Sequence, residues 1–429
     1  MKVSFSGENV TDSKWSGFYK LSIEERQKKV IAEFKLDSSE QALLKKQGPL
    51  PIEIADKMSE NVIGTIGLPL SIAPNFIING RETVVPMAIE EASVVAAASN
   101  AAKLARGTGG FRTSYTGSVM IGQVQLVGMK DVKKSIEKLN SANKKIFEKA
   151  DEYASHLHKY GGGVKEVSTR TIATDRGKMI IVEFAIDVSD AMGANAVNTL
   201  LEKIAPDLAE ISGGNVRLKI VSNLATRRMA SAIAVWKAED VDGDEGVEAI
   251  LDCWSMAMAD PYRRATHNKG VMNGIDAVLV ACGNDWRAVE AGAHSYSALK
   301  NGALTTFRKT PDGDIEGKIL IPMPVGTIGG SLGVNLTAKM CLKMLGVTNS
   351  GEFAQVLASV GLAQNFAALR ALALEGIQKG HMKLHAKNIA TAAGAKAGEM
   401  DAVVQWMQEN KMMNAEGAKN ALSQIRKKR

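Results

Sequence analysis

Four separated stretches of this 429-residue chain carry side chains that could share one reaction. Glu90-Glu91 stand just before an alanine-rich segment, in the apolar company of Val84, Val85, Met87 and Ile89. Paired carboxylates there either cap the helix, whose dipole favours negative charge, or one keeps a proton beside its like-charged neighbour and acts as a general acid. Lys269 lies in His267-Asn-Lys-Gly-Val-Met-Asn-Gly274, which reads as a polar loop between glycines. The apolar run 277–281 that follows reads as a short buried strand delivering Asp285. A lysine held near a buried aspartate stays cationic and can stabilise a developing oxyanion, as carbonyl reduction requires. A purely structural Lys–Asp pair is the competing reading.

His381 and His385 are one helical turn apart and share a face. No HExxH and no acidic third ligand accompany them, so a proton donor on a mobile lobe fits better than a metal site. Asp190-Ala-Met-Gly-Ala-Asn195 sits where a strand gives way to a helix, so its amides and the helix dipole would face an anion such as a pyrophosphate. The alternative is an Asp N-cap with a glycine for close packing. No GxGxxG follows a strand anywhere, so an ordinary dinucleotide-binding βαβ domain is not indicated.

These residues need elements to position them. Segment 21–48 has helical spacing and reads as one or two surface helices ending at Gly48-Pro49. An extended, turn-rich region follows, with a hairpin signal at Asn79-Gly80. Ser93 to Arg106 is predicted as a helix stopped by Gly107. Next come a strand (119–129), a long charged helix (131–160) broken by Gly161-Gly162-Gly163, and two strands (164–171 and 178–188) turning at Asp175-Arg176-Gly177. A helix (191–211) and a strand (216–221) complete a strand–helix–strand–strand–helix–strand order, the pattern of a ferredoxin-like domain. The expected fold is therefore mixed α/β or α+β. A large helix-rich domain (1–113 and 223–375) receives an inserted ferredoxin-like domain (114–222) and carries a small helical C-terminal flap (376–429). Within the large domain 229–236 reads as a strand, 246–260 as a helix, and the chain from Ala354 onward as helical. The Gly-punctuated stretch beyond Glu375 suits a mobile lobe.

Bulk properties exclude several classes. With 45% hydrophobic residues the chain can bury a core without staples, and Cys253, Cys282 and Cys341 form no CxxC pair, so neither a disulfide framework nor zinc is suggested. A reducing cytoplasm fits. Met1 to Ser16 has no apolar run of signal-peptide length, and no later stretch reads as a membrane span. The net charge of +7 is dispersed except for Arg426-Lys427-Lys428-Arg429, which reads as a solvated helix end and not as a nucleic-acid site. An acidic substrate explains the basic excess equally well.

Taken together the segments resemble the hydroxymethylglutaryl-coenzyme A (HMG-CoA) reductases, specifically the soluble bacterial and archaeal-type class II group. Nine motifs run in family order: Glu60–Thr65 (ENVIGT), Pro86–Ser93 (PMAIEEAS), Asp190–Asn195 (DAMGAN), Asp260–Arg263 (DPYR), Asn268–Asn273 (NKGVMN), Gly283–Glu290 (GNDWRAVE), Pro322–Gly326 (PMPVG), Gly361–Asn365 (GLAQN) and Gly380–Met382 (GHM). The resemblance implies Glu91 as the acidic proton donor, Lys269 on the carbonyl oxygen, Asp285 between them tuning both, and His381 protonating the departing coenzyme A thiolate. It places Ser93, Arg263, Asn273 and Gln364 at substrate-contact positions and Asp190, Met192, Gly193 and Asn195 in the cofactor loop, with Asn223 near both ligands. It further implies a CoA- and substrate-binding, dimerising large domain, a nicotinamide-binding insert, and a homodimer with the active site between subunits, admitting a higher assembly.

The implied chemistry accounts for the residue types. A thioester carbonyl receiving hydride becomes an alkoxide that a fixed ammonium stabilises. Collapse of the hemithioacetal expels a thiolate that needs a proton near neutral pH, which suits an imidazole. NADH and NADPH stay open: the deciding position aligns with Ala154, among Asp151, Glu152, His156, His158 and Lys159. Mevalonate biosynthesis is the preferred direction, with catabolic mevalonate oxidation by the same site as the alternative. A CoA-thioester hydrolase or acyltransferase using Glu91 or His381 as a base is a different class, unsupported by any GxSxG elbow.

Overall fold

A computed structural model describes residues 10–45, 50–375, 386 and 389–427. The turn at Asn79-Gly80 has both central residues left-handed, at φ 51° and 81°, the conformation that matches strand twist in a two-residue hairpin. It joins β1 (Leu70–Ile78) to β2 (Arg81–Ala88), pairing Ile78 with Arg81, and β2 carries the chain to Glu91. Before it lie α1 (Ile23–Glu33), whose Ser22 and Glu25 form a reciprocal capping box, α2 (Ser38–Lys45) and the short α3 (Ile52–Met58). Trp15, Val30 and Phe34 from this region share a small core with Val84 of β2.

Helix α4 (Val94–Ala105) follows the hairpin, then β3 (Arg112–Tyr115). The chain next builds an antiparallel sheet from β4 (Val119–Val127), β5 (Gly163–Thr174), β6 (Gly177–Asp187) and β7 (Asn215–Ser222), in the spatial order β5-β6-β4-β7. Three helical segments, α5 (Val132–Ser141), α6 (Asn143–Tyr153) and α7 (Ser155–His158), stand in place of the single helix expected over 131–160. The breaks at Ala142 and Ala154 carry no Gly or Pro to announce them; after the first, Asn143 donates to the Val167 carbonyl and ties α6 to β5. Helix α8 (Ala194–Ser212) returns to β7. The absence of a side chain at Gly122 lets α8 lie close on β4, since a Cβ there would meet Val197 and Leu201 at 2.8 Å. The sheet and its helices enclose a core of their own, around Phe184, Ile186, Leu201 and Ile204.

A second antiparallel sheet has the order β3-β8-β10-β9, with β8 (Met229–Trp236), β9 (Thr305–Lys309) and β10 (Ile315–Pro322). Around it pack α9 (Gly243–Ala259), α10 (Pro261–Ala281), α11 (Trp286–Lys300), α12 (Leu336–Leu345) and α13 (Ser350–Arg370). The loop expected around Lys269 and the strand expected over 277–281 are both parts of α10. Its N-terminal half is polar and its C-terminal half apolar, so no stripe at helical period marks it. Gly270 and Gly274 mislead in the same way: Gly274 is not a breaker but the point where α13 crosses closely, a Cβ there lying 3.0 Å from Gln364 Cβ. The core helix α13 stacks Phe366 on Trp236 at 3.8 Å between ring centroids. Ser350–Leu374 is long and apolar enough to cross a membrane by length and hydropathy alone, but 67% of its most apolar 18-residue window is buried inside the protein, as in a core packing helix. Two C-terminal helices, α14 (Met400–Glu409) and α15 (Ala415–Lys427), share a small core around Val403, Met407 and Leu422. Arg426 pairs with Glu399 at 2.8 Å, in keeping with a helix-end role for the basic tail.

Candidate active site

Between β2 and α4 the chain turns through Glu90, Glu91 and Ser93. Ser93 is the N-cap of α4 but adopts φ 77° and makes no side-chain capping bond. A non-glycine residue in this region costs about 1 kcal/mol or more, and such conformations gather at ligand sites. Glu90 is exposed; Glu91, half-buried, does not cap the helix either. Its Oε2 instead lies 3.1 Å from Lys269 Nζ on α10. Lys269, Asn273 and Asp276 follow at helical spacing along one partly exposed stripe of α10. Arg263 occupies the first turn of α10, whose N-cap is Asp260. Gln364, 5% exposed, faces α10 from α13, and its Oε1 is buried with no hydrogen-bond partner among the described residues. The same helix holds His267, whose Nε2 bonds Thr305 Oγ1 at 2.7 Å; burial, with Arg263 nearby, pushes this imidazole down to about 3.

A second group gathers around the Asp190–Asn195 loop. Asp190 does not cap α8, whose N-cap is Gly193 at φ 98°. Its Oδ1 accepts from the Ser350 amide at 2.8 Å, at the start of α13. Gly326 lies tight beneath, where a Cβ would stand 2.6 Å from the Met192 nitrogen, and the Gly326 amide donates to Asn284 Oδ1 at 2.9 Å. Asp285 therefore sits beside this loop, capping α11 through the Ala288 amide at 3.2 Å and lying 3.4 Å from Arg287. Asn195 and Asn223 are exposed in the same region.

Glu91 and Lys269 thus meet within one chain, and Asp285 does not join them. Lys269 precedes the end of α10 at Ala281 by about 18 Å along the axis, and Asp285 lies beyond that end. His381 and His385 lie outside the described residues.

Residues 22–386 match the family model described as hydroxymethylglutaryl-coenzyme A reductase. The 3-hydroxy-3-methylglutaryl-coenzyme A reductase of Archaeoglobus fulgidus is 52% identical over 96% of this chain and 95% of its own length. This chain belongs to the HMG-CoA reductase family. A probable reductase of Borreliella burgdorferi is 36% identical over 77% of each protein. Among solved structures, the reductase of Streptococcus pneumoniae superposes with a TM-score of 0.82 at 40% identity, covering 96% of this chain and 100% of that one. A class II structure from the same organism, described as bound to NADPH in open conformations, gives 0.80 at 40% identity over 84% and 99%.

Two features bear on how a family member of this sequence would work. Ala154, the position aligned with cofactor choice, is fully buried and offers no side chain to a ribose. Its acidic neighbour Asp151 is engaged internally, accepting from the Val164 amide at 2.9 Å and facing His158 at 3.0 Å. Sequence reasoning also missed a carboxyl pair between α10 and α11. Asp276 faces Glu290, and Glu290 Oε2 lies 2.7 Å from His294. Burial and the Glu290 carboxylate raise the Asp276 pKa well above the carboxylate range. No local pattern joins Asp276 to Glu290 in the sequence; only the antiparallel return of α11 along α10 does so.

Proposed function

We propose that this chain reduces HMG-CoA to mevalonate and free coenzyme A with Glu91, Lys269, Asp285 and His381 as its reacting groups. The reaction class follows from the family: an NAD(P)H-dependent oxidoreductase acting on a CoA thioester. The 3.1 Å approach of Glu91 to Lys269 carries the residue assignment. Both side chains are substantially exposed, and such a pair contributes only about 0–1 kcal/mol to stability, so its placement is better accounted for by a ligand than by the fold.

In this reading Lys269 directs its ammonium at the carbonyl oxygen and stabilises the alkoxide by roughly 3–4 kcal/mol, the scale of one well-placed oxyanion donor. Glu91 delivers the proton that the reduced oxygen requires, and His381 protonates the departing thiolate. Ser93, Arg263, Asn273 and the buried, unpartnered Gln364 hold the acyl and CoA portions. Asp190, Met192, Gly193 and Asn195, with Asn223, hold the nicotinamide dinucleotide, NADH or NADPH. The residues suit that group: a left-handed glycine opens onto the amides of α8, which favour a pyrophosphate, and Asn195 and Asn223 remain exposed. When bound, the cofactor supplies hydride to the carbonyl carbon.

The working form is a homodimer. Asp285 can approach Glu91 and Lys269 only across a subunit boundary, and the extended segment before β1 holds Ile63 and Ile66 at 102% and 95% exposure, apolar surface suited to burial against a second copy. The β5-β6-β4-β7 sheet with its two helical crossovers is an inserted ferredoxin-like domain, 114–222, within the large domain (1–113 and 223–375). Residues 376–429 form the flap, and the protein works in the cytoplasm.

The test follows absorbance at the nicotinamide band, with purified protein, HMG-CoA, and NADH and NADPH in parallel. Oxidation of two nicotinamide equivalents per coenzyme A released is expected. Coenzyme A release without nicotinamide oxidation would overturn the reading in favour of a hydrolase.

A further inference from the structure

Arg228, at the entrance to β8, is completely buried, yet the hydrogen-bond partners of its guanidinium among the described residues are uncharged oxygens. An uncompensated guanidinium in a protein interior is costly unless its N–H groups are satisfied. Here oxygens from three separate segments satisfy it. Nη1 donates to the carbonyls of Ala191 at 3.0 Å and Met192 at 3.2 Å, Nη2 donates to the Val325 carbonyl, and Nε donates to Tyr115 Oη at 2.8 Å. The Arg228 carbonyl accepts from the Met323 amide at 2.8 Å, so main chain and side chain grip the same 323–325 segment. From Tyr115 Oη the polar contacts continue at 3.3 Å to Ser118 Oγ and at 3.3 Å to Ser350 Oγ, next to the amide that holds Asp190.

We infer that Arg228 is a positioning residue for the nicotinamide cofactor: it fixes the 190–193 loop against the 323–326 segment and thereby sets affinity for the dinucleotide, without touching it. This rests on the assignment of that loop to the cofactor. Peptide planarity supplies the physical link. Turning the Met192 carbonyl inward to the guanidinium turns the Gly193 amide the opposite way, at the mouth of α8. A planar fork is required because one cation must bridge carbonyls of two segments, which the single ammonium of a lysine cannot reproduce.

The test compares Arg228→Lys, Arg228→Ala and Tyr115→Phe with the unaltered protein, reading KM for the nicotinamide cofactor and for HMG-CoA separately. The Arg228 variants should raise the cofactor KM about 10- to 100-fold, the scale of lost charge-assisted hydrogen bonds, and change the HMG-CoA KM by less than about 2-fold. Tyr115→Phe, which leaves the guanidinium in place, should give a smaller rise in the same direction. Millimolar guanidinium should lower the cofactor KM of Arg228→Ala toward the parent value, a rescue that a general loss of fold would not show. Unchanged cofactor KM in the Arg228 variants, an equal rise in both KM values, or no rescue by guanidinium would overturn the inference. Asn195→Ala separates the two levels. If it weakens cofactor binding while the Arg228 variants do not, only the positioning role fails; if it has no effect, the loop assignment fails and the inference with it.

Discussion

Lys269 Nζ stands 3.1 Å from Glu91 Oε2 although 178 residues separate them in sequence, and both side chains remain open to solvent within the single chain. The expected outcome of Lys269→Ala is a fall in turnover of at least about 100-fold, the scale reported for loss of one oxyanion donor. Its thermal midpoint should shift by little, because an exposed pair adds about 0–1 kcal/mol. Glu91→Gln should behave likewise. Near-parental turnover in Lys269→Ala would remove the ammonium from the mechanism.

Glu82 on β2 governs acid stability by a separate route. Burial alone would raise its carboxyl, but hydrogen bonds from Arg106 and Ser13 outweigh burial and hold it at about 2, against 4.5 for a free group. The unfolded chain therefore binds this proton first as pH falls. The stabilisation is complete above 4.5, declines below it, and is lost as the pH reaches about 2. Glu82→Gln should be less stable than the parent at neutral pH, and the gap between their urea midpoints should close through that window. A gap that stays constant down to the lower limit would contradict this assignment.

Asp276 has the opposite sign. Its folded-state pKa is raised, by burial and then by the Glu290 carboxylate, so the folded protein keeps a proton that the unfolded chain releases above 3.8. Stability is fully present below that value and declines as pH rises. Asp276→Asn, which imitates the protonated form, should raise the melting temperature at mildly alkaline pH and change it little in acid. A melting temperature lowered equally at both pH values would refute it.

Gly326 packs against backbone that has no room to yield. A Cβ would stand 2.6 Å from the Met192 nitrogen and 3.0 Å from the Ala191 carbonyl carbon. Gly326→Ala should cost about 1–3 kcal/mol in stability, as overpacking does, and should weaken binding of the nicotinamide cofactor, measured by fluorescence titration. Parental affinity in a folded variant would show that the loop tolerates displacement.

The legibility of the sequence tracked how local each signal is. The Asn79-Gly80 turn and the Met229–Trp236 strand announce themselves through residue type and period, and the structure has both. The order of elements from β4 to β7 was equally plain, because glycines at 161–163 and 213–214 separate the helical stretches from the strands and Gly177 separates β5 from β6. Helix α10 was not legible: its polar first half reads as a loop and its apolar second half as a strand, and only packing against α13 at Gly274 and Gly361 makes the two one element. At the candidate site, residue type alone singled out Glu91 and Lys269, and only the family resemblance placed them in one site. Arg228 gave no sign at all, since a basic pair before a strand ordinarily faces water, and its burial depends on carbonyls contributed by residues 191, 192 and 325.

In the proposed homodimer, the distance along α10 between Lys269 and the end that leads to Asp285 would divide each reaction centre between two polypeptides. Protein concentration then becomes a control variable: below the self-association constant, specific activity should collapse as the enzyme is diluted. Equimolar mixing of Lys269→Ala and Asp285→Ala chains, each inert alone, should restore one intact centre in every mixed pair.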